Sequence, residues 1–223
     1  MKRFLCIASG LLLVFACGDG DSPSGPGQGG GDAAYYPLSV GNQWVYDRSG
    51  QMTAAGIPVA AISGMNVTDI TGTVTHELGF DVYVQENAID DTTVIYQDTL
   101  FIDSTFTTYM RITDEGFYSY VNLAGADSAG FVPFPLVVGA TWQFSDDPPM
   151  TAEILSLSET VTVPAGSFEN CLELRTTWIE SGNTLENVTD FAPNVGRVRN
   201  VYTQSFEALV TTVTSELLSY SIE

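Results

Sequence analysis

The residues best suited to acid–base or nucleophilic chemistry are scarce in this chain. His76 is the single histidine, so a Ser-His-Asp or Cys-His arrangement would have to use it. The chain has no Gly-x-Ser-x-Gly nucleophile elbow, and His76-Glu77 lacks the second histidine of a zinc-binding helix. Because a turn is predicted at Leu78-Gly79, we expect His76 to be a structural residue at the end of a strand.

Cys171 is the second candidate for a nucleophile. Strand alternation places it opposite Leu172 and Leu174, on the same side as Glu173. A neighbouring carboxylate disfavours the thiolate, and a thiol that stays protonated reacts poorly. We therefore expect Cys171 to be a small packed residue.

Carboxylates are abundant, but the sequence singles out no pair of them. Asp90-Asp91 and Asp146-Asp147 lie in predicted turns, where Asp is favoured by its side-chain hydrogen bonds to the backbone. Neither stretch matches the calcium-binding loop with its distal Glu, although opportunistic calcium binding and a glycosidase-like pair stay open as alternatives. The expectation is a protein that is not an enzyme and has no metal or cofactor.

Cations are rare enough for their positions to matter. Beyond Lys2 and Arg3 the chain has five arginines and no lysine. Arg197 and Arg199 are two of these, and their two-residue spacing places both on one side of a strand. We expect them to pair with nearby acids, and an anion-binding patch is the alternative.

The net charge argues against polyanionic partners. All 27 acidic residues follow residue 17, so loss of Lys2 and Arg3 leaves five arginines against 27 acids, a formal charge of −22. Such a surface repels nucleic acid and anionic lipid headgroups. Solubility is the first interpretation of this acidity, and binding of divalent cations is the alternative.

Strands are the elements that would position these residues. Thr, Val, Tyr and Phe are abundant, and apolar residues recur at every second position between turn signals. The predicted buried faces are Phe106, Thr108, Met110 and Ile112; Phe117, Val121 and Leu123; Leu155, Leu157, Val161 and Val163; Leu172, Leu174 and Trp178; and a C-terminal run of Phe206, Ala208, Val210, Thr212, Thr214, Leu218, Tyr220 and Ile222, interrupted by Glu216.

Turn signals divide the chain into about ten strands. Gly79 predicts a hairpin between a strand near 65–77 and one near 80–87, and Asp90-Asp91, Asp114-Glu115-Gly116 and Asp146-Asp147-Pro148-Pro149 predict further turns. No long segment has a helical apolar period. We predict an all-β antiparallel fold, either a sandwich or a strongly curved sheet that forms a half-barrel.

One sequence pattern occurs twice, 98 residues apart. Residues 36–46 and 134–144 both read aromatic-Pro-Leu-x-Val-Gly-x-x-Trp-x-aromatic. In each copy the proline blocks strand pairing, the glycine allows a bend, and the Trp begins a strand. The repeat predicts two β-rich halves, with Trp44 and Trp142 as core residues or, alternatively, as walls of a ligand cavity.

Ordered turn motifs give a resemblance to a known family. The repeated pattern, Val163-Pro164-Ala165-Gly166-Ser167-Phe168 and Phe191-Ala192-Pro193-Asn194-Val195-Gly196 together resemble a family of bacterial envelope domains of unknown function, over about residues 35–205. The resemblance implies an architecture similar to curved-sheet carriers of the lipoprotein-localisation type. It implies no catalytic residue.

The N-terminus has the features of an export signal. Two cations precede an apolar run from Phe4 to Ala16, whose helical length of about 20 Å is too short for roughly 30 Å of bilayer hydrocarbon. The run ends Val14-Phe15-Ala16-Cys17, which resembles the lipobox of bacterial lipoproteins. That resemblance implies a signal peptide over residues 1–16 and a lipidated Cys17, and an ordinary secretory signal is the alternative.

The remaining chain is predicted to be a tether and one domain. Residues 18–34 are almost wholly Gly, Pro, Ser and Asp, which cannot bury apolar area. We assign 17–34 to the lipidated cysteine and a flexible tether, and 35–223 to a single all-β domain.

These features together predict a role in the cell envelope. The expected protein is a lipoprotein anchored to the bilayer through Cys17, with outer-membrane placement favoured because Gly18 is not the Asp that marks inner-membrane retention in some bacteria. Its domain is expected to bind an apolar or amphipathic ligand, or an envelope protein, without catalysis. A structural or adhesion-like lipoprotein without a small ligand is the alternative.

Overall fold

The computed structural model describes residues 31–96, 98–124, 130–146 and 149–223, with no side-chain description for 144–146. The predicted signal peptide, Cys17 and the tether up to residue 30 lie outside the described residues. No helix in this part of the chain is long and apolar enough to cross a membrane.

The described chain is almost entirely β-strand, as the alternating pattern predicted. One short 3-10 helix at Gly31–Tyr35 precedes the first strand. The strands are β1 Gln43–Ala54, β2 Ile57–Thr75, β3 Asp81–Ile95, β4 Asp98–Thr113, β5 Gly116–Tyr120, β6 Gly130–Pro133, β7 Thr141–Asp146, β8 Pro149–Val163, β9 Gly166–Glu180, β10 Asn183–Ala192, β11 Gly196–Phe206 and β12 Leu209–Ser221.

All twelve strands belong to one antiparallel sheet. Their order is β6-β5-β4-β3-β2-β1-β12-β11-β10-β9-β8-β7. The first six strands therefore run outward from the centre to one edge, and the last six return from the opposite edge to the centre, where β1 pairs with β12. This confirms the all-β prediction of a curved antiparallel sheet with two β-rich halves, each of six strands.

The sheet curves until its two edge strands approach each other, but it does not close into a barrel. β6 and β7 are the edges, with no ladder between them. The indole Nε1 of Trp142 in β7 donates to the carbonyl oxygen of Phe131 in β6 over 3.0 Å. This side-chain hydrogen bond therefore links the two edges.

The two copies of the repeated sequence form the same pattern of backbone hydrogen bonds after the proline. Gly41 N donates to Ile70 O and Ile70 N donates to Asn42 O, while Gly139 N donates to Ile154 O and Ile154 N donates to Ala140 O. Gly41 and Gly139 both have positive φ, at 100° and 81°. Each copy thus forms one turn that starts the first strand of its half, β1 or β7.

The sheet has two distinguishable ends. At the upper end, hairpins join β1 to β2, β3 to β4, β9 to β10 and β11 to β12. At the lower end lie the 36–42 and 134–140 segments and two turns that carry the family motifs. Ala165 N in the β8–β9 turn donates to Leu217 O over 2.9 Å, and Asn194 N in the β10–β11 turn donates to Ala34 O over 2.7 Å. The motifs therefore tie the lower end together.

The main apolar core fills the lower end. Its buried members come from both halves of the sheet and from the segment before β1. They include Tyr36, Trp44, Tyr46, Ile70, Met110, Phe117, Ile154, Leu172, Val198 and Leu217. Burial of a large apolar side chain stabilises the fold by roughly 1.5–3 kcal/mol. Because these residues are far apart in sequence, the core joins the two halves.

The predicted inward face of the C-terminal strand is wrong. In β12 the buried side chains are Thr211, Val213, Ser215 and Leu217, whereas Tyr220 is 43% exposed. Two of the four inward residues are polar, so the alternation of apolar residues in the sequence predicted the opposite face as the buried one. A register shift in the β1–β12 ladder between Val45 and Tyr46 adds to the error, because it interrupts the alternation near Leu217.

Other local predictions had mixed outcomes. The hairpin at Gly79 and the turn before Gly116 are present, and Met110 faces the core as predicted. The turn predicted at Asp90-Asp91 is wrong, since both residues lie inside β3. Val121 is exposed because β5 ends at Tyr120.

Candidate ligand-binding cavity

A cavity of about 220 Å³ lies in the hollow of the sheet. Its walls are strands β1–β5 and β10–β12, and the segment 35–38 lines its lower end. A single water needs roughly 10–15 Å³ by a comparable measure, so the space is on the order of fifteen waters. The concave face of the sheet is therefore not filled by side chains along its whole length.

The lower part of the cavity is aromatic. The Tyr36 ring stacks on Phe117 with 4.1 Å between ring centroids, and Phe191 lies 5.1 Å from Tyr36. Other apolar residues extend this surface upward along the strands: Leu38, Phe106, Met110, Ile89, Ile102, Ile62, Val213 and Met52. Such a surface suits a hydrocarbon chain, which gains free energy when it leaves water.

The two repeated tryptophans have different roles. Trp44 is 5% exposed, belongs to the core and also lines the cavity. Its Nε1 donates to Val195 O in the β10–β11 turn over 2.6 Å, which fixes the ring. Trp142 packs against the core but is not among the residues that line this cavity. The core prediction and the cavity-wall alternative thus both apply to Trp44.

A buried ion pair crosses the cavity wall. Arg48 in β1 bonds to both carboxylate oxygens of Asp91 in β3, with Nε–Oδ1 at 2.8 Å and Nη2–Oδ2 at 2.9 Å. The two side chains are 13% and 9% exposed. A bidentate pair of this kind fixes both groups in the wall and leaves little net charge there.

Gly64 makes the ion pair possible. It lies in β2 directly between the partners, opposite Arg48 on one side and Asp91 on the other. A Cβ at this position would lie 2.1 Å from Asp90 O and 2.4 Å from Asp91 Oδ1. The strand therefore needs a residue without a side chain at this point.

Amides and hydroxyls form a polar belt across β2 and β3. The Oδ1 atom of Asn87 accepts hydrogen bonds from Thr68 Oγ1 and from Gln85 Nε2, both at 3.0 Å. Asn87 Nδ2 and Asn66 Oδ1 are buried and have no partner among the described residues. Both side chains line the cavity and are 4% exposed. The belt thus contains one donor and one acceptor without a partner in the described chain.

The belt continues on the opposite wall. Asn200 Nδ2 in β11 donates to Asn187 Oδ1 at 2.7 Å and to Thr189 Oγ1 at 2.8 Å. Tyr202 donates its hydroxyl to Gln204 Oε1 at 3.0 Å. These residues line the cavity, so polar groups face it from both sides.

Arg199 pairs with an acid as expected, and Arg197 does not within the described residues. Arg199 Nε bonds to Asp190 Oδ2 at 2.7 Å, as predicted, and does not line the cavity. Arg197 lines the cavity and forms no ion pair within the described ranges. The β10–β11 ladder shifts register between Arg197 and Arg199, and such a bulge breaks the alternation on which the same-side prediction depended.

The Arg197 guanidinium packs over an aromatic ring. Its Cζ lies 4.2 Å from the centroid of the Tyr46 ring, a cation–π geometry. The hydroxyl of Tyr46 donates to the backbone oxygen of Arg197 at 3.1 Å. Nε of Arg197 is buried and has no hydrogen-bond partner in the described part of the chain. Burial raises the pKa of Tyr46, although Arg197 opposes the shift.

His76 lies in a separate aromatic cluster outside the cavity. It directly follows β2, is 2% exposed, and stacks on Phe80 with 4.6 Å between ring centroids. Leu78 N donates to its Nδ1 at 3.2 Å. Burial lowers the pKa of His76. The negative charge of Glu77 opposes this shift, and the positive charge of Arg111 adds to it. The geometry fits the predicted structural role at a strand end.

Cys171 is fully buried and unreactive in its setting. Its Sγ donates weakly to Phe168 O at 3.5 Å, and burial, with Asp190 nearby, raises its pKa to about 11. Leu172 beside it is also fully buried, so the strand is covered on both faces at this point. Asn170 adopts a φ of 56°, and the β8–β9 ladder is irregular here.

The acidic stretches do not form a metal site in the described residues. The carboxylate of Asp91 forms an ion pair with Arg48. No group of three or more His, Cys, Asp or Glu side chains in these ranges could hold a metal ion. The predicted turn at Asp146-Asp147 lies partly outside the described residues, so that calcium alternative stays a prediction.

No family model matches the chain, and no curated protein matches it. Solved structures with a likeness to it include a Bacteroides fragilis protein described as exported and of YmcC-like fold, at 17% identity and a TM-score of 0.39, covering 83% of this chain and 98% of that one. A Parabacteroides distasonis protein described as a lipoprotein has 18% identity and a TM-score of 0.33, with coverages of 84% and 98%. A Brucella abortus β-barrel-like protein of the domain of unknown function DUF1849 has 9% identity and a TM-score of 0.43, with coverages of 82% and 98%.

The resemblance to envelope domains, the lipid anchor and the envelope location stay predictions from the sequence.

Proposed function

We propose that this chain is a lipid-anchored envelope lipoprotein whose β domain binds an amphipathic ligand without catalysis. Cys17 would hold it to a bilayer, with the outer membrane favoured by Gly18 at the next position. The cavity would enclose the ligand's apolar part and bond to its polar part.

The observation that carries this proposal is the lining of the cavity. Aromatic and aliphatic residues form much of the wall, while the polar belt includes buried atoms of Asn66 and Asn87 without partners in the described chain. A buried amide group left without a hydrogen bond costs about 1–3 kcal/mol. A ligand with one polar end and one apolar end satisfies both parts of the wall, as ligand sites usually require.

The titratable groups in the wall suit binding more than proton transfer. Burial raises the pKa of Tyr36 and of Tyr202, so these hydroxyls stay protonated near neutral pH and can donate hydrogen bonds. Asp91 is held by Arg48 through both carboxylate oxygens. None of these groups is placed as a free base toward the cavity.

Quenching of Trp44 fluorescence tests occupancy of the cavity. We would use residues 17–223 with Cys17→Ser, exported behind an ordinary secretory signal so that the protein carries no lipid and needs no detergent. An amphiphile with a bromine on its acyl chain should quench emission saturably, because Trp44 lines the cavity and bromine quenches at contact. Trp44→Phe should remove the quenchable fraction.

Trp142→Phe and Trp178→Phe are the matched controls. Neither residue lines the cavity, so both variants should retain saturable quenching. Quenching that persists unchanged in Trp44→Phe, or no saturable quenching in the parent protein, would contradict binding in this cavity.

A second candidate is an adhesion-like surface lipoprotein. Exposed apolar side chains gather at the upper-end hairpins, with Ile57 67%, Tyr96 81%, Phe101 74% and Ile179 57% exposed. Exposed apolar patches often mark protein contacts. If adhesion is the role, Tyr96→Ser with Phe101→Ser should abolish attachment of protein-coated beads to cells, while Val213→Phe inside the cavity should not change it.

A further inference from the structure

The distribution of charge in the cavity differs from that of the whole chain. Acidic residues outnumber Lys and Arg by 27 to 7 in the sequence. The cavity wall reverses this ratio, with Arg48 and Arg197 against the single acid Asp91. A wall with one excess positive charge, inside a strongly acidic protein, is a local feature that the overall charge does not predict.

The excess charge is located on Arg197. Arg48 is neutralised by its bidentate bond to Asp91. Within the described residues Arg197 has no carboxylate partner, and its buried Nε has no hydrogen bond. A guanidinium that is partly removed from water without an anion is unfavourable, and an anionic group brought to it would relieve that cost.

Neighbouring side chains support the Arg197 guanidinium and add hydrogen-bond donors near it. The Tyr46 ring supports the guanidinium from one side at 4.2 Å, and Arg48 lies two residues from Tyr46 on the same strand face, about 6.5–7 Å away. The polar belt contributes the unpartnered Nδ2 donor of Asn87, which is 4% exposed. Arg197, Arg48 and Asn87 all line the same cavity.

The length of the cavity fits one acyl chain. It extends along β1 from Trp44 to Met52, eight residues or roughly 26 Å at 3.3 Å per residue. One leaflet of a bilayer gives its acyl chains about 15 Å of hydrocarbon depth. The cavity can therefore hold one extended chain together with its head group.

We infer that the ligand is a single-chain amphiphile with an anionic head group, such as a fatty carboxylate, and that Arg197 binds that head group. This inference rests on the proposed function and adds the chemical class of the ligand. Arginine is suited to the contact because its planar N–H groups can hold both oxygens of a carboxylate.

The test compares three probes on the Cys17→Ser protein by isothermal titration calorimetry. The probes are dodecanoate below its micelle concentration, dodecan-1-ol as a neutral amphiphile of equal chain length, and acetate as a free anion. We expect dodecanoate to bind at least tenfold more tightly than dodecan-1-ol, and acetate to show no measurable binding. Equal or tighter binding of dodecan-1-ol would overturn the anionic head group.

Variants of Arg197 assign the contact. Arg197→Gln should weaken dodecanoate at least tenfold and leave dodecan-1-ol unchanged, and Arg197→Lys should restore part of the dodecanoate affinity. Arg175→Gln is the matched control, because Arg175 pairs with Glu153 and does not line the cavity. If Arg197→Gln binds dodecanoate as tightly as the parent protein, the assignment to Arg197 is wrong.

The remaining outcomes separate this inference from the proposed function. Binding of dodecan-1-ol with no preference for dodecanoate would retain an amphiphile-binding module and reject the anionic class. Binding of neither amphiphile would reject both proposals. Acetate that binds as tightly as dodecanoate would show an anion site that does not use the acyl chain, which also overturns the inference. Circular dichroism melts of each variant confirm that the fold is retained.

Discussion

Single residues are constrained by the groups that pack against them. Gly64 is the clearest case, since the Arg48–Asp91 ion pair passes directly over its Cα. His76 is a second case, because it is buried in an aromatic cluster as a neutral imidazole. Each leads to a prediction that a stability measurement can check.

Gly64→Ala should destabilise the domain by about 2–3 kcal/mol, because the new methyl group would overlap the backbone oxygen of Asp90 and displace Asp91 from Arg48. Urea denaturation measures the change. Gly72→Ala in the same strand is the control, since a Cβ there meets nothing within 4 Å, and it should change stability by less than about 0.5 kcal/mol. Equal effects of the two substitutions would refute this account of Gly64.

His76 should make the domain less stable in mild acid. Burial lowers the folded-state pKa of His76 below 6.5, so the unfolded chain binds the proton first as pH falls. The contribution of neutral His76 to the free energy of unfolding is therefore fully present above about pH 6.5. It decreases as the pH falls below that value, by at most about 1.4 kcal/mol per pH unit. Urea melts of the parent protein and His76→Gln between pH 5 and 7.5 should show a smaller slope in the variant. The same slope in both would mean that His76 does not titrate in this range.

At the scale of elements, a side-chain hydrogen bond joins the two edge strands where no ladder does. Trp142 in β7 reaches the backbone of β6 at Phe131, whereas β1 and β12 at the centre are joined along their whole lengths. The edges should therefore open before the centre does.

Trp142→Phe should loosen β6 and β7 selectively, because it removes the Nε1–H donor and retains most of the ring packing. We expect a loss of about 1 kcal/mol and faster hydrogen exchange at the amides of β6. Trp178→Phe is the control, since the Nε1 of Trp178 has no partner in the described chain. Unchanged exchange in β6 of Trp142→Phe would show that the indole bond does not hold the edge.

Elements with local signals were predictable from the sequence. The repeated pattern predicted two halves, and each copy forms the same turn at Gly41 and Gly139. The inward face of β12 was not predictable from apolarity, because Thr211 and Ser215 face inward beside Val213 and Leu217. A sheet whose concave face carries both polar and apolar residues does not show the usual contrast between its two faces.

The candidate site was less predictable than the fold. Its polar belt is assembled from Asn66, Asn87, Asn187 and Asn200, which lie on four strands and carry no shared motif. Only strand register brings these residues together. The sequence did single out Arg197 as a potential anion contact, but the bulge that separates it from Arg199 has no signature in the residue types.

At the scale of the whole molecule, the proposed role joins a membrane anchor to a cavity. The 3-10 helix at Gly31–Tyr35 lies at the lower end, where Asp32 accepts a hydrogen bond from Leu136 N at 2.9 Å. A tether before this helix would therefore attach the domain by its lower end and direct the upper-end hairpins away from the attachment point.

The anchor prediction is checked by fractionation. Cys17→Ala should move the protein from the membrane fraction to the soluble fraction, because a lipid on the cysteine sulfur is the proposed attachment. Cys171→Ala is the control and should stay with the membrane, since the Cys171 thiol is buried in the domain. Membrane association of Cys17→Ala after washing with salt would contradict lipidation at Cys17.

The most direct test of the central claim is native mass spectrometry of the Cys17→Ser protein purified from an envelope compartment without detergent. We expect a co-purifying amphiphile at one per chain. Val213→Phe, which fills the cavity, should lose it, and Val210→Phe on the same strand outside the cavity should retain it. A clean mass without ligand in the parent protein, with no thermal shift across a panel of amphiphiles, would contradict the claim that the cavity binds one.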